Sequence, residues 1–337
     1  KGLDDIVAIS DWSWIIYTKE QLQAWNKGDR KKTDYVELGA DIDMQGETWV
    51  PHAFSGTFDG KGHKIYNFVV DTSSEEYKNV ERKYASFITD CSGKLMNLII
   101  GSKDGETYDG VSEFLLKPLE NDSNWAYVGV VGKISGAQGI ENVKNFSKLT
   151  IAEGTQSIKF SVGGISAMIN GKSPVTNCVN NGDISVLNTG TPQATTCVIG
   201  GITGKFDYEG SITDCVNNGD ILNRHTGVWA VGGIVGNTNA VPSNIAPAIT
   251  NADNNGKITM NGGQSILIAG GIAGALRGGV LDGCDNNGEF EFGYNAQLYY
   301  GGVAGRFYNE MKNGEDALIL TKSTEVKNCS NKDGGTF

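Results

Sequence analysis

A small set of acidic residues near the N-terminus could carry catalytic or metal-binding chemistry. Asp41 and Asp43 lie two residues apart, a spacing that puts both carboxylates on the same outward face of a strand. Such a pair can bind calcium or serve a glycosidase or lyase. Asp59 and His63 suggest a metal ligand pair or an acid–base pair. We expect structural roles instead, because paired aspartates usually form a solvated edge and the Asp59–Gly62 segment has the composition of a corner.

Other catalytic and cofactor motifs are missing from the sequence. The chain has three histidines, at positions 52, 63 and 225, and no Cys-x-x-Cys pair. It contains no phosphate-binding loop and no Gly-x-Ser-x-Gly elbow. The sequence therefore predicts a non-enzymatic protein with no metal and no cofactor. A polysaccharide lyase or glycoside hydrolase that uses Asp41, Asp43 or Asp59 is the alternative.

Four of the six cysteines share one position of an internal repeat: Cys178, Cys215, Cys284 and Cys329. Ala252 stands at that position in another copy, so the position is small and apolar. We predict free, buried thiols that stack between copies. Disulfides between neighbouring copies are the open alternative, since stacking would bring Cys178 and Cys215 within bridging distance.

Aromatic residues are the candidates for ligand contact. Exposed rings can stack on sugar faces or anchor a protein partner. The alternative is that these rings pack under loops or close the C-terminal end. The sequence predicts recognition by the loops 187–196, 223–228 and 293–300, with ligand-binding rings at Trp229, Tyr294, Tyr299 and Tyr308.

Composition narrows the range of partners. The chain of 337 residues has a formal net charge of −11, which argues against nucleic acid because a phosphate-binding surface is basic. It has no long apolar run, so any membrane attachment would depend on a lipid anchor outside this chain. Glycine, at 47 residues, is unusually frequent, which indicates many corners.

An internal repeat dominates the rest of the sequence. A Gly-aliphatic-x-Gly pattern, or a close variant, recurs at spacings of about 31–38 residues. Its first residue, here called the marker glycine, is Gly129, Gly164, Gly201, Gly233, Gly271 and Gly302. An Asn-Asn-Gly segment follows most markers. The first asparagine of this segment in the four copies is Asn180, Asn217, Asn254 or Asn286, in order along the chain.

The repeat predicts short strands joined by corners. Apolar residues alternate before each marker, and we expect the positions four and two residues before it to face inward. A corner or bulge is expected at the marker itself. These features favour a right-handed parallel β-helix of about seven or eight coils over a β-propeller, because the repeats are short for a blade. The four asparagines would then form a ladder of side-chain amides.

The N-terminal part should differ from the repeats. Thr18 and Gln21 form a capping-box pattern before Leu22 and Trp25, and Gly28 is placed to end the helix. Such a helix would cover the open end of the solenoid. We therefore divide the all-β chain into a cap with first coils, residues 1–85, and β-helix repeats, residues 86–337.

Two segments near the N-terminus resemble a known family. Residues 35–44 and 54–68 resemble the opening of secreted bacterial proteins with GLUG motifs, and the later Gly-aliphatic-x-Gly copies are similar to the motif itself. The resemblance implies a parallel β-helix adhesin on the surface of a gut-type bacterium, usually lipid-anchored. GLUG repeats also occur beside the catalytic domain of immunoglobulin-cleaving metallopeptidases. The His-Glu-x-x-His zinc motif of those enzymes is missing here.

The sequence thus predicts a cell-surface or secreted binding protein. A stack of coils with variable loops presents a long rigid surface to a partner. The expected partner is a host glycan or an extracellular protein.

Overall fold

The structure is a computed structural model that describes most of the chain. It describes residues 13–28, 34–77, 83–117, 125–154, 158–189, 197–225, 227–239, 247–261, 267–293, 298–307 and 324–331, together with the strand Val7–Ser10. Within these residues, one α-helix, Lys19–Lys27, and one 3₁₀ turn, Glu75–Tyr77, lie among short strands. The strands form three sheets, here named A, B and C.

Each sheet runs the length of the molecule. Sheet A consists of Val7–Ser10, Ser13–Ile16, Tyr35–Leu38, Thr57–Asp59, Lys94–Met96, Gly139–Glu141, Pro174–Thr176, Ser211–Thr213, Ala248–Thr250, Val280–Asp282 and Glu325–Lys327. Sheet B consists of Ile42–Thr48, Lys64–Asp71, Ile99–Ile100, Glu113–Leu116, Lys144–Asn145, Lys148–Ile151, Val179–Asn180, Ile184–Val186, Val216–Asn217, Ile221–Asn223, Asp253–Asn254, Ile258–Met260, Asp285–Asn286, Phe290–Phe292 and Ser330–Asn331. Sheet C consists of His52–Phe54, Tyr84–Cys91, Trp125–Ile134, Lys159–Gly163, Ser166–Asn170, Cys197–Gly200, Thr203–Asp207, Val228–Gly232, Val235–Asn239, Leu267–Gly270, Ala273–Arg277, Leu298–Gly301 and Ala304–Phe307.

The chain visits the sheets in the order A, B, C and then returns to A one coil further along. Every described strand pairing is parallel except that of Val7–Ser10 with Ser13–Ile16. Eight coils reach all three sheets; they begin with the sheet A strands from Tyr35–Leu38 to Val280–Asp282. The predicted parallel β-helix, with its number of coils, is confirmed. In the regular repeats, sheets B and C each take two short strands per coil.

The predicted helix forms and covers the N-terminal end of the core. Thr18 and Gln21 make both bonds of the capping box, and the Gly28 amide bonds the Ala24 and Trp25 carbonyls at the other end. Leu22 is buried, and the Trp25 ring packs 5.4 Å from Phe54 and 5.2 Å from Phe58 between centroids. This aromatic contact seals the first coils.

One N-terminal strand is shorter than its alternating sequence indicates. Residues 35–44 read as a single strand, but the structure bends at Gly39–Asp41. Tyr35–Leu38 belongs to sheet A and Ile42–Thr48 to sheet B. Val36 and Ile42 both reach the core, because the bend changes direction without changing which side chains face inward.

The predicted asparagine ladder runs through the buried side of sheet B. Asn180 Nδ2 donates to Asn217 Oδ1 at 2.8 Å, and Asn217 donates to Asn254 at the same distance. Each of these amides also donates to the carbonyl two residues later. The side chains are fully buried, so the ladder satisfies polar groups that would otherwise be costly. Asn145 and Asn331 extend it at the two ends.

A different set of residues turns the corner between sheets A and B. Asn177, Asp214 and Asn251 adopt positive φ angles of 50°, 53° and 50°. Asparagine and aspartate tolerate this left-handed conformation better than other non-glycine residues. The ladder asparagines themselves lie in strands, so the two roles that asparagine suits fall on separate columns of the repeat.

The marker glycines interrupt sheet C as predicted, with one exception. A Cβ on Gly201 would lie 2.0 Å from the Gly233 carbonyl oxygen and 2.4 Å from Asn217 Cγ, so the corner packs directly on the ladder. Gly164, Gly233 and Gly271 meet their ladder asparagines at similar distances. The prediction for Gly129 is wrong. This residue lies inside the unbroken strand Trp125–Ile134.

Gly129 differs from the other markers because its strand pairs in a different register with the next coil. The copies with a corner have two consecutive glycines, such as Gly200-Gly201, whereas the first copy has one. Val128 pairs with Val162 and Val131 with Ser166, so Gly129 occupies the level of Gly163, the glycine before the marker. Two residues lie between these pairs in the first copy and three in the second.

Candidate functional site

The structure holds the acidic candidates in hydrogen-bonded corners. Asp41 lies 3.0 Å from His63 Nδ1 and 2.8 Å from Lys64 Nζ. Burial acts to raise the Asp41 pKa, but hydrogen bonds from Lys64 and His63 outweigh it and keep the pKa below its ordinary value. Asp43 accepts the Gln45 amide and the Asn67 side-chain amide, each at 2.8 Å. The two carboxylates face outward but serve different contacts.

Asp59 is the most enclosed of the three. It is 2% exposed, and its oxygens accept from Tyr35 OH, Asn97 Nδ2 and the Lys61 amide at 3.0, 2.9 and 2.9 Å. Lys61 Nζ lies 3.2 Å from the same carboxylate. Burial acts to raise the Asp59 pKa, yet these hydrogen bonds hold it below its ordinary value. A carboxylate with four partners is a poor general acid or base, because each contact would have to break.

Asp59 forms the inner wall of a shallow cleft of about 510 Å³ outside the corner of sheets A and B. His63 does not line this cleft, because it turns to Asp41 instead. The expected structural role of the Asp59–Gly62 corner agrees with this geometry: Lys61 and Gly62 have positive φ angles of 51° and 81°. The lining residues are Asp59, Lys61, Gly62, Asn97, Ile99, Asn142 and Lys144.

The six cysteines keep their thiols outside any disulfide, as predicted, and five of the six are buried. Cys178 and Cys215 are fully buried, and their thiols lie near the backbone oxygens of Thr176 and Thr213. Burial raises the pKa of Cys178 and brings that of Cys91 to about 12, so these thiols are protonated at neutral pH. Within the described part of the chain, no group of three His, Cys, Asp or Glu side chains is arranged to hold a metal ion.

The predicted ligand-binding rings differ in their exposure to solvent. Tyr299 is 43% exposed and faces outward. Trp229 is 7% exposed, so its ring is not an open platform, which corrects the prediction. It is the extra residue of a bulge, because Cys197 pairs with Val228 and Val198 with Ala230. Tyr294 and Tyr308 lie outside the described residues. So do residues 190–196 of the predicted recognition loop 187–196, residue 226 of the loop 223–228 and residues 294–297 of the loop 293–300.

Sheet C bends sharply at the marker glycines, and the outer faces of the strands on either side of the bend turn towards each other. We call the strand before each marker the first half-strand and the strand after it the second. A Cβ on Gly204 would lie 2.6 Å from the Val162 carbonyl oxygen, and one on Gly274 would lie 2.7 Å from that of Val231. The second half-strand of each coil therefore lies against the first half-strand of the preceding coil. The two rows of half-strands form the walls of a furrow along the solenoid.

Apolar side chains fill the bottom of the furrow. Val198, Trp229, Ala230, Ile268 and Ala275 form a buried cluster separate from the main core. Each is at most 7% exposed. The cluster fixes the angle between the two walls, because side chains from both walls contribute to it.

A column of aromatic rings lies on the first wall in the N-terminal half of the furrow. Tyr84 and Tyr127 stack with centroids 5.2 Å apart, and Trp125 continues the stack at 6.3 Å from Tyr127. The interplanar angles are 20° and 16°. Sequence alternation puts Trp125 and Tyr127 inside the core, but the missing glycine of this copy shifts the register by one residue. A one-residue shift turns every side chain to the other face.

Cations from the second wall cover rings of the first. Lys133 Nζ lies 5.8 Å from the centre of the Tyr127 ring, and Lys205 Nζ lies 5.6 Å from that of Trp125. Further along the furrow, the pattern repeats with Arg277 over Trp229 at 5.1 Å and Arg306 over Tyr299 at 5.0 Å. Each such contact contributes about 0.5–1 kcal/mol at an exposed site. We name these eight residues the ring–cation row.

Charge separates sheet C from the other two sheets. Its described strands contain five Lys or Arg residues, at 133, 159, 205, 277 and 306, against Asp90 and Asp207. The described strands of sheet B contain three lysines against seven Asp or Glu, and those of sheet A contain two lysines against five. On a chain of net charge −11, sheet C alone presents an excess of cations among the described strands.

Sequence reasoning missed the ring–cation row, although one signal was present. The double glycine before the aliphatic residue distinguishes the copies that fold sharply, and a basic residue follows several of them at a short distance, as Lys205 follows Gly204. The contact of Lys205 with Trp125 spans 80 residues of sequence, so no local pattern reports it.

Comparisons with known proteins give a fold and no family. No protein-family model matches the chain, and no curated protein matches it significantly. The structure is similar to the crystal structure of a protein from Bacteroides ovatus described as a "putative immunoglobulin A1 protease". The TM-score is 0.55 at 17% sequence identity, over 94% of this chain and 84% of the other. At that identity, the likeness shows the fold alone. Among the described residues, no helix is long and apolar enough to cross a membrane.

Proposed function

We propose that this chain is a non-enzymatic binding protein of the bacterial surface or its surroundings, and that it acts in adhesion. The furrow of sheet C is its binding face. A lipid anchor outside this chain would hold it at the outer membrane, as in the GLUG-containing proteins that it resembles. Its partner is a host glycan or an extracellular protein.

The ring–cation row is the observation that carries this proposal. Rings and cations on a rigid stack of coils suit recognition, because the backbone that holds them is hydrogen-bonded on both sides and loses little freedom on binding. Tyr299 and the Trp125–Tyr127 stack offer ring surface at two places along the furrow.

The carboxylates argue for binding rather than turnover. Catalysis requires titratable groups that converge on a substrate. Asp41, Asp43 and Asp59 instead stabilise three separate corners, and hydrogen bonds hold the pKa of Asp41 and of Asp59 low. The name of the structural neighbour suggests a protease. The chain lacks the His-Glu-x-x-His motif of the immunoglobulin-cleaving metallopeptidases, so we do not extend that activity to it.

The test is a glycan and host-matrix array with the purified chain, followed by titration of any ligand found. We expect saturable binding without turnover, and Tyr299→Ala should weaken it. Tyr17→Ala is the matched control, because Tyr17 is 44% exposed but lies beside the N-terminal helix, away from sheet C. Depolymerisation of a polysaccharide that is abolished by substituting Asp41, Asp43 or Asp59 would reject the proposal and establish an enzyme.

A further inference from the structure

The cations of sheet C are spread evenly rather than clustered. Lys133, Met168 and Lys205 occupy one level of three successive coils, so the two lysines lie two coils apart. Neighbouring parallel strands are about 4.8 Å apart, which puts the two lysine backbones roughly 10 Å from each other along the axis. Lys159 lies on the first wall, opposite these lysines, and pairs with Trp125 of the neighbouring strand.

These lysines remain accessible to a ligand. The side chains of Lys133 and Lys205 are 26% and 25% exposed. Lys133 is 3.9 Å from Asp90, a loose ion pair, whereas Lys205 is 2.8 Å from Asp207. Counted over the described strands of sheet C, five cations stand against two carboxylates, an excess of positive charge on an acidic protein.

We infer that the furrow binds an acidic polysaccharide, an extended glycan that carries a carboxylate or sulfate on every one or two sugars. This inference rests on the proposed binding function and names the ligand class. Lysine ammonium groups attract the anionic groups as point charges, and the half-buried rings of Tyr127 and Trp125 add apolar surface beside them for the sugars. One coil advances by about the length of one sugar residue in an extended chain, so successive coils meet successive sugars.

Charge density favours a glycan over a nucleic acid. Double-stranded DNA carries one charge per ~1.7 Å of axis, and its binding proteins neutralise many phosphates at once. The furrow offers one cation every one or two coils, and the rest of the chain is acidic. That spacing suits a polymer with widely separated charges.

The experiment is a titration of the purified chain with polygalacturonate, hyaluronan and heparin, whose charges are spaced differently. Fully methyl-esterified polygalacturonate is the uncharged match, and a single-stranded DNA oligomer is the nucleic-acid arm. We expect binding to at least one acidic polysaccharide, no binding to the ester, and an affinity that falls as salt is raised. Lys133→Gln or Lys205→Gln should weaken binding roughly fivefold each.

Lys94→Gln is the matched control. Lys94 lies in sheet A, its side chain is 27% exposed, and it pairs with Glu141 at 2.6 Å, so its exposure and ion pairing are close to those of Lys205. It should leave the affinity unchanged. Because loss of Lys205 also leaves the buried Asp207 without its ion pair, circular dichroism must show that the variant is folded, and Lys133→Gln gives a second reading.

Several results would overturn the inference. They are no binding to any of the three polyanions, equal binding to the methyl ester, stronger binding to DNA, or an equal loss with Lys94→Gln. A different outcome is that the array identifies a neutral glycan or a protein as the ligand. If Tyr299→Ala weakens that binding, the binding function stands while the acidic-glycan inference fails. Degradation of the polysaccharide would reject the binding function itself.

Discussion

Sheets B and C are built from the same coils but use opposite strategies. In sheet B, identical asparagines stack in the interior and bond one another from coil to coil, and acidic residues predominate in its strands. In sheet C, two glycines in succession fold the sheet over its outer face, and rings meet cations across the fold. Repetition in one sheet stabilises the stack, while variation in the other gives it a distinctive surface.

The largest effect should come from removing the buried ring of sheet C. Trp229→Ala would leave a cavity beside Val198, Ile268 and Ala275, and large aromatic truncations of this kind cost ~3–5 kcal/mol of unfolding free energy. Tyr299→Ala, on the same wall but 43% exposed, should cost less than ~1 kcal/mol. Urea unfolding of both variants measures the difference. Equal losses would mean that Trp229 is not buried as the structure has it.

A single methyl group at a marker glycine can break the contact between sheets B and C. A Cβ at Gly201 would lie 2.0 Å from the Gly233 carbonyl oxygen, and the two glycines pack on the ladder side chains of Asn217 and Asn254, respectively. Gly201→Ala should therefore cost about 3 kcal/mol, a typical value for severe overpacking.

Thermal unfolding followed by circular dichroism would detect that loss. Ala167→Gly is the control, because Ala167 ends the variant copy Gly164-Ile165-Ser166-Ala167, whereas the other copies of the pattern end in glycine. It should cost at most about 1 kcal/mol. A Gly201→Ala chain that melts with the parent protein would refute the close packing of marker and ladder.

The ladder of sheet B can be compared with its exposed neighbour. Asn217→Ala leaves the amide of Asn180 and the side-chain oxygen of Asn254 without their partner, and both are fully buried, so we expect a loss of about 2 kcal/mol. Asn218, the next residue, bonds Asn181 and Asn255 in a parallel ladder at the surface.

Asn218→Ala should cost no more than about 0.5 kcal/mol, because water replaces the lost bonds. Denaturant midpoints of the two variants give the contrast directly. If Asn218→Ala proves the more harmful, burial is not what makes the ladder matter.

The last effect depends on pH and lies at the junction of sheets B and C. His225 is 1% exposed, its ring packs edge-on against Phe160 with centroids 5.1 Å apart, and burial lowers its pKa from 6.5 to about 4. Above pH 6.5, both the folded and the unfolded chain hold it neutral. As the pH falls from 6.5 towards 4, only the unfolded chain takes up the proton, so stability drops by at most ~1.4 kcal/mol per pH unit.

His225→Phe should remove this part of the pH dependence between pH 6.5 and 4.5. Carboxylates with lowered pKa values, such as Asp59, lose their contribution only at lower pH, below this range. Unfolding free energies measured at intervals across this range test the prediction. An unchanged slope in the variant would assign the acid sensitivity elsewhere.

The sequence predicted much of the fold and little of the candidate site. Spacing of the marker glycines and alternation of the strands indicate the β-helix, and the capping box at Thr18 and Gln21 predicts the helix that the structure contains. Alternation counted back from Gly129 predicts that Trp125 and Tyr127 face inward, whereas the structure places both rings on the outer face. Which face a strand presents depends on its register with the neighbouring coil, and one residue more or less reverses it.

By itself, then, the sequence determined the coil, its repeat length and the column of asparagines, because these depend on residue types that recur at equivalent places and make the same contacts each time. The tertiary structure alone decided that sheet C folds outward, that Trp229 is buried, and that Lys205 lies over Trp125. Such contacts join non-equivalent residues from different coils. They are set by small differences in register and bulging that accumulate along the stack, which no single repeat records.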